Sequence, residues 1–538
     1  MALTDMIAGD LVQGHGGCPR VLVPEDGWRF ATRQLAAGHW TLLGLWGDKG
    51  AVHMAVLADD AREIAVISID CPDGRFPSVG ALHAPAIRLE RTIRDLYGIE
   101  PVGLPDARPW LDLGFWDVQF PLGERGAPPP TRAPYAFLPT EGEDLHQIPV
   151  GPVHAGIIEP GHFRFTASGE TVVRLEQRLG YVHKGIEGLM AGATLEQAAR
   201  LASRCSGDST VAYALAFAHA VEAAGEIQVP PRAVHLRALM AELERLANHF
   251  GDIGAVCNDA SFSLMHAHCS VLRERTLRAA DSCFGHRLMM DAVVPGGVAR
   301  DLAAGCVGHV AGLLQDVRRA FPQLVELYDN TASLQDRTAG TGILRAELAR
   351  QFGAGGYVGR ASGRAFDARK TPGYRPYDRL QFDVPVLESG DVNARVWLRI
   401  REVEQSLGLI EQLLETLPGG ATRTEMSHTG GMREGLGVAE GFRGDVLAWL
   451  RLAGDRVTRC HLRDPSWFQW PLLEAVIEGN IVADFPLCNK SFNCSYSGHD
   501  LKPLRTCRTA HRSPSTRGRR SQRDAIREQV CAEHCWKV

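Results

Sequence analysis

Residues 154–208 constrain the fold of this chain more than any other stretch. The sequence runs GPVHAGIIEPGHFRF (151–165), then GETVVRLEQRLGYVHKGIEGLMAG (169–192), then LASRCSGDSTVAYA (201–214). His154, Glu159, His162, His183, Lys184, Glu187, Arg204, Cys205 and Asp208 crowd into it, set among apolar residues. Ionisable and soft groups with apolar neighbours on each side belong to a buried site rather than a solvated face. Alternation over 162–166 and 171–177 predicts two strands, with Ser168-Gly169 as their turn. A short helix is predicted over 183–190, a longer one over 195–202, and another from Ser209. Cys205 and Asp208 fall at the break between those helices.

A chain of 538 residues holds two or three domains. Its 45% hydrophobic and 22% charged residues are ordinary for a globular protein. No run approaches the roughly 18 apolar residues of a membrane span. The opening MALTDMIAGDLVQGHGG has neither a basic start nor an apolar core, so no signal peptide is expected. The thirteen cysteines are scattered and odd in number, and Cys257, Cys283 and Cys306 sit in helical patterns. Reduced thiols in a cytoplasmic setting are expected, not a disulfide framework. The formal net charge is −5, yet from Lys502 onward ten basic residues face three acidic ones. The body is therefore acidic, which argues against nucleic-acid binding as its main role.

In chain order, residues 1–25 are expected to be flexible. Residues 26–123 read as a small α+β domain, with strands over 40–46, 51–57 and 63–69 and a helix over 87–97. Residues 124–147 contain GERGAPPPTRAP and read as a stiff, extended linker. Residues 148–501 form a large domain with helical periodicity over 231–254, 263–290, 302–328 and 392–416. Pro322 is expected to kink or end the third of these. The large domain is expected to be mainly α, a helical bundle with small peripheral β-structures. Residues 502–538 are basic and poor in apolar residues, hence expected to be disordered.

The order GP-x-H, IEPGH, GYVHKGIE, R-C-x-x-D resembles the large subunit shared by complex I (the 49 kDa type) and the energy-converting nickel-iron hydrogenases. RALMAELERLANH (237–249), LRERTLRAADSCFGHR (272–287), VPGGV (294–298), SLQDRTAGTGIL (333–344), GRASGRAFDARK (359–370) and YDRLQFDVPVLESGD (377–391) extend it over most of the large domain. ERTIRDLYGIEPVGLPDARPWL (90–111) resembles the small, 30 kDa-type subunit of complex I that docks beside the large one. The resemblance implies a fused small-plus-large subunit whose large domain is folded like a nickel-iron hydrogenase large subunit.

In the hydrogenases two Cys-x-x-Cys pairs hold nickel and iron; in the complex I relatives the cavity has lost the metal and takes a quinone. A nickel-iron centre needs four soft thiolates. Here the first pair reads Cys205-Ser-Gly-Asp208. In the second, Ser491 stands at the partner position of Cys494, and Cys488 lies six residues before Cys494. Cys205, Cys488 and Cys494 are the metal candidates, and the broken pairs imply that the metal is absent. The plainer reading of each is a small buried apolar residue.

By the same resemblance Glu159 and His162 handle protons, and His154, His183, Arg204 and Asp208 line the quinone cavity. Glu159 and His162, three residues apart, suit a short proton relay when half-buried; a salt bridge at a strand end is the plainer reading. His183, Lys184 and Glu187 also fit a solvated helix turn. The implied partners are an iron–sulfur small subunit, antiporter-like subunits of a membrane arm, and quinone. NAD and the iron–sulfur clusters belong to those partners, and the chain lies peripherally on the cytoplasmic face of the inner membrane. Two other readings stand beside this one: a hydrogenase with an atypical nickel site of Cys205, Asp208, Cys488 and Cys494, and a non-catalytic scaffold. GAGGYVGRASG (353–363) lacks the Lys-Ser/Thr of a P-loop, and no Rossmann fingerprint occurs. His266, His268, Cys269, Cys283 and His286 lie inside helical patterns without the loop-spaced pairs of a zinc site.

Overall fold

Strong β-formers between residues 40 and 70 seed the first sheet. A computed structural model describes residues 3–58, 62–112, 118–124, 135–154, 158–182, 184–425 and 431–499. The basic tail, residues 125–134 of the linker, and His183 lie outside them. The first sheet contains β1 (Asp10–Leu11), β3 (Arg20–Leu22), β4 (Trp40–Asp48), β5 (Ala51–Ala58) and β6 (Glu63–Asp70), in the order β1-β3-β6-β5-β4. β2 (His15–Gly16) leaves this sheet for another. The three long strands match the predicted ones to within two residues, and the helix over 87–97 is observed at Ile87–Tyr97. α1 (Glu25–Ala36) and α2 (Ile87–Tyr97) cover one face through Trp28, Leu35, Leu89 and Ile93. The other face, with Trp46, Ala55, Leu57 and Val66, packs on Leu436, Leu447 and Trp449 of the large part. Both faces being covered is why β5 and β6 are nearly continuous apolar runs.

The expectation of a flexible segment over 1–25 is corrected. Leu3 and Ile7 are buried, β1 and β3 edge the first sheet, and β2 pairs in parallel with a strand more than 400 residues later (Glu434 with His15). Strands of two or three residues are too short to show a period. The described end of the linker is likewise folded. The guanidinium of Arg108 lies 5.3 Å from the Tyr135 ring and that of Arg178 lies 5.4 Å from it, and β7 (Leu145–Val150) starts inside the predicted linker.

β7 pairs with β8 (His162–Ser168), which pairs with β9 (Thr171–Arg178). Helices follow: α3 (Leu195–Ala202), α4 (Thr210–Gly225), α5 (Pro231–Asp259), α6 (Ser263–Phe284), α7 (Cys306–Asn330) and α8 (Val392–Glu415). α3 starts with a reciprocal cap between Thr194 and Gln197. α8 starts at Asp391, whose carboxylate accepts from Ala394 N at 2.7 Å. α7 continues through Pro322 rather than ending there. Then come β10 (Met432–Gly441), β11 (Gly444–Ala453), β12 (Arg456–Arg463), α9 (Ser466–Val476), α10 (Phe485–Phe492) and a short helical turn, Tyr496–His499.

α4 is apolar around its whole circumference, because β10 and β11 cover one side and α5 the other. α5 in turn packs against α6, α8 and α10. The sheet β12-β11-β10-β2 thus lies against the central helices and joins the two parts. The large part is mixed α+β, with its β-structure inside the architecture rather than only around it.

Candidate functional site

The break between α3 and α4 carries the first half of the site. Cys205 is fully buried there, and Lys184 Nζ donates to the Cys205 carbonyl at 2.9 Å and to the Arg204 carbonyl at 3.3 Å. Arg204 turns away from this centre: it makes a two-pronged ion pair with Asp291 at 2.6 and 2.8 Å. Asp208 makes a similar pair with Arg443, at 2.8 and 2.5 Å, and accepts from Ser206 Oγ at 2.7 Å.

The turn after α10 carries the second half. Asn493 adopts a left-handed conformation (φ 46°) that ends α10, and buried Cys494 follows. The two halves meet in two places. Ser206 Oγ lies 3.2 Å from Ser495 Oγ. Arg443, at the tight turn between β10 and β11, donates to the Asn493 carbonyl as well as to Asp208. A single guanidinium thus fastens both loops. Behind it Asp252 of α5 accepts from Asn493 Nδ2 at 2.9 Å and Lys490 Nζ at 3.2 Å, and pairs with Arg399 at 3.3 Å.

The remaining candidates divide. Glu159 accepts from Ser497 N at 2.9 Å, beside the Cys494 loop. His154 lies near the same turn, its ring 6.2 Å from that of Tyr496, and its Nδ1 donates to the Pro152 carbonyl at 3.2 Å. His162 faces elsewhere: its ring is 5.0 Å from Phe137, and its Nε2 accepts from Arg164 Nε at 3.3 Å. It lies on the wall of an open cavity of about 700 Å³ with Tyr135, Phe137, Gln147 and Tyr181. Burial, then Arg164, lowers the His162 pKa, so the ring is neutral at pH 7. Glu159 and His162 therefore look to different sides rather than forming a direct relay. Glu187 is buried, not on a solvated turn. It accepts from Arg459, His461 Nδ1 and Leu462 N at 2.9, 3.0 and 3.1 Å. Cys488 points away from the meeting of the loops, toward Gly342 and Arg395.

Sequence reasoning missed Arg443, Asp252 and Arg395. A signal for the first existed: GFRG places a lone arginine in a tight turn between two apolar strands.

Known proteins carry the same two parts. Residues 259–434 match the respiratory-chain NADH dehydrogenase 49 Kd subunit family, and residues 35–126 match the 30 Kd subunit family. Formate hydrogenlyase subunit 5 of Escherichia coli (strain K12) is 34% identical over 81% of this chain and 78% of its own length. The chain belongs to the family of fused subunits shared by complex I and the energy-converting hydrogenases. Hydrogenase-4 component G of the same organism is 31% identical over 84% of this chain and 81% of its own length. The C/D-type NADH-quinone oxidoreductase subunit of Phocaeicola vulgatus is 29% identical over 76% of this chain and 84% of its own length. This member is accordingly a subunit of an oxidoreductase complex.

The nickel-iron centre of the hydrogenase branch can be tested against the side chains present. Of the four positions that would supply thiolates, two do not. Asp208 is engaged by Arg443. The Ser491 hydroxyl accepts from Arg395 Nε at 2.9 Å and donates to the Cys488 carbonyl at 2.7 Å. Burial pushes the Cys205 and Cys494 thiols well above their ordinary range. Among the described residues no three His, Cys, Asp or Glu side chains are placed to hold a metal ion. The donor set does not fit a nickel-iron centre. All ten cysteines among the described residues are free.

Proposed function

We propose that this chain builds the cavity in which electrons from an iron–sulfur partner subunit reach a quinone-like acceptor, in a membrane-associated complex that couples the reaction to ion translocation. The observation that carries this reading is the Asp208–Arg443 ion pair, with Asp208 standing where the resemblance expects the second cysteine of a metal-binding pair. Without four thiolates the site lacks the donors of a hydrogen-activating metal, whereas an arginine, hydroxyls and half-buried carboxylates suit proton supply to a polar head group. Glu159, against the Cys494 loop, supplies protons there; His154 and Asp208 line the same side. His162, with Tyr135, Phe137 and Tyr181, lines a separate open cavity on the other side from Glu159. Arg204 and Lys184 act through the loop, one fixing it to Asp291 and the other holding its carbonyls.

NAD and the iron–sulfur clusters are assigned to partner subunits, among them an iron–sulfur small subunit and antiporter-like subunits of a membrane arm. Those partners hold the chain at the cytoplasmic face of the membrane. Among the described residues no helix is long and apolar enough to cross a membrane.

The test is nickel content and quinone reduction of the whole complex, purified anaerobically. Nickel well below stoichiometric, with turnover reduced on the order of 100-fold in Glu159→Gln, is the expected result. About one nickel per chain overturns it in favour of a hydrogenase. Full turnover in Glu159→Gln and His162→Ala leaves a scaffold that couples partner subunits.

A further inference from the structure

A small cavity reaches the back of the Asp208 loop. It holds about 100 Å³ and opens between α5 and α6, enough for roughly three waters. Asp208, Glu244, Asn248, Arg273 and Arg287 supply its polar lining. Arg287 is paired with Glu274 at 2.8 Å. Glu244 is only 8% exposed, and its carboxyl accepts from Val211 N at 2.6 Å and Ala212 N at 3.1 Å, the first turn of α4.

These groups set its titration. Burial has the largest influence and raises Glu244 to about 8; the two amides and Arg245 oppose the shift, and Asp208 adds to it. Arg273 faces it from α6 and Arg287 from the turn that follows α6, and Arg443 neutralises Asp208 from the far side. A carboxyl in that range exchanges its proton near neutral pH. Beyond Asp208 a line of hydroxyls leads inward. Ser206 Oγ lies 2.7 Å from Asp208 Oδ1 and 3.2 Å from Ser495 Oγ, next to Cys494.

We propose that Glu244 carries protons from solvent, through the water-sized α5–α6 cavity, past the ion-paired Asp208, to the centre between the Cys205 and Cys494 loops by way of Ser206 and Ser495. The step is a proton transfer alone. The Glu244 O–H bond breaks as a proton moves inward to the acceptor being reduced, and water entering the cavity returns a proton to the carboxylate. The electrons come from the iron–sulfur partner, so this inference rests on the proposed function. It makes Glu244 a second proton route, separate from Glu159.

The experiment compares wild type, Glu244→Gln and Glu244→Asp in the intact complex. Two readouts are taken: quinone reduction against pH, and the infrared C=O band of a protonated carboxyl. Glu244→Gln is expected to lower kcat on the order of 100-fold with KM unchanged, and Glu244→Asp to restore most of it. Wild-type turnover should fall as pH rises through about 8, together with a carboxyl band that Glu244→Gln removes. Should Glu244→Gln fail to assemble, the band shift in Glu244→Asp identifies the group. Unchanged turnover in Glu244→Gln and no titrating band would make Glu244 a cap of α4 and overturn the inference. A wild-type complex that reduces no quinone sinks the proposed function instead, and the infrared titration still decides whether Glu244 exchanges its proton.

Discussion

The buried carboxylate of Glu402 is matched donor by donor. Glu402, on α8, is 1% exposed. One of its oxygens accepts from Arg360 Nε and Nη2 at 3.0 and 2.5 Å. The other accepts from His249 Nε2 and Arg245 Nη1 at 2.8 and 3.2 Å. Burial opposes this carboxylate, but Arg360 and His249 outweigh it and hold its pKa well below the usual range. Replacing one member of such a cluster leaves charges buried without a partner, so Glu402→Gln is expected to lose roughly 3–5 kcal/mol in urea unfolding at pH 7. The sign follows from the depressed value. The stabilisation is fully present above the unfolded carboxylate pKa of about 4.3 and is lost as pH falls toward the folded value. The gap between variant and wild type should therefore narrow below about pH 4. A gap that is small at pH 7, or that widens in acid, would show that the charge is not what Glu402 contributes. Such clusters are hard to read from sequence. Asp208 stood out because it interrupts a familiar cysteine spacing, while its partner Arg443 lies 235 residues away. Glu159 and His162 misled in the opposite way: sequence proximity suggested a pair, but the loop sends one to Ser497 and the start of β8 sends the other to Phe137.

At the scale of elements, period decided what was legible. The amphipathic helices and the long strands of the first sheet announced themselves through repeats of 3.6 and 2. β10 and β11 did not, because they are buried on both faces and show almost no alternation. What GLGVAEG (435–441) encodes instead is closeness. A Cβ at Gly437 would lie 2.3 Å from the Ala216 carbonyl and 2.5 Å from Ala220 N, and one at Gly435 would lie 2.1 Å from the Ala220 carbonyl. Glycine lets the α4 backbone settle directly on the strand. Gly437→Ala is expected to destabilise by about 1–3 kcal/mol, since backbone rather than a flexible side chain must move. Gly408→Ala is the matched control: it sits within α8, and its Cβ meets nothing within 4 Å. There the change should stabilise by about 0.5–1 kcal/mol, because alanine has less backbone freedom to lose in a helix. Chemical denaturation of the two variants decides the point, and equal effects at both sites would mean that the α4–β10 approach is looser than the distances imply.

For the whole molecule, the motifs made a fusion of two subunit types legible but not how the two halves join. They interlock. Trp46 of β4 lies 5.6 Å from Trp449 of β11 and stacks on His461 at 4.9 Å. Asp48 pairs with Arg451 at 2.6 Å, and Arg88 of α2 pairs with Glu474 of α9 at 2.6 Å. β2 adds a strand from the N-terminal end to the sheet of the large part. An interface with buried tryptophans, ion pairs and a shared sheet couples the unfolding of its two sides more tightly than a polar linker would. Calorimetry is therefore expected to show the small and large parts melting in one transition. Trp46 is 2% exposed, and truncating a buried aromatic costs about 3–5 kcal/mol. If the halves are coupled, Trp46→Ala should move that single transition downward as a whole. If they are independent, the thermogram should split, with the small part melting early and the large part keeping its wild-type midpoint. The distinction bears on function, because Glu187 ties the site to this interface. It binds Arg459 and His461 beside Trp46, three residues from the Lys184 that holds the Cys205 carbonyl. A coupled interface would make Trp46→Ala lower turnover of the whole redox complex as well as stability; a split thermogram with unchanged turnover would mean that the site does not depend on this interface.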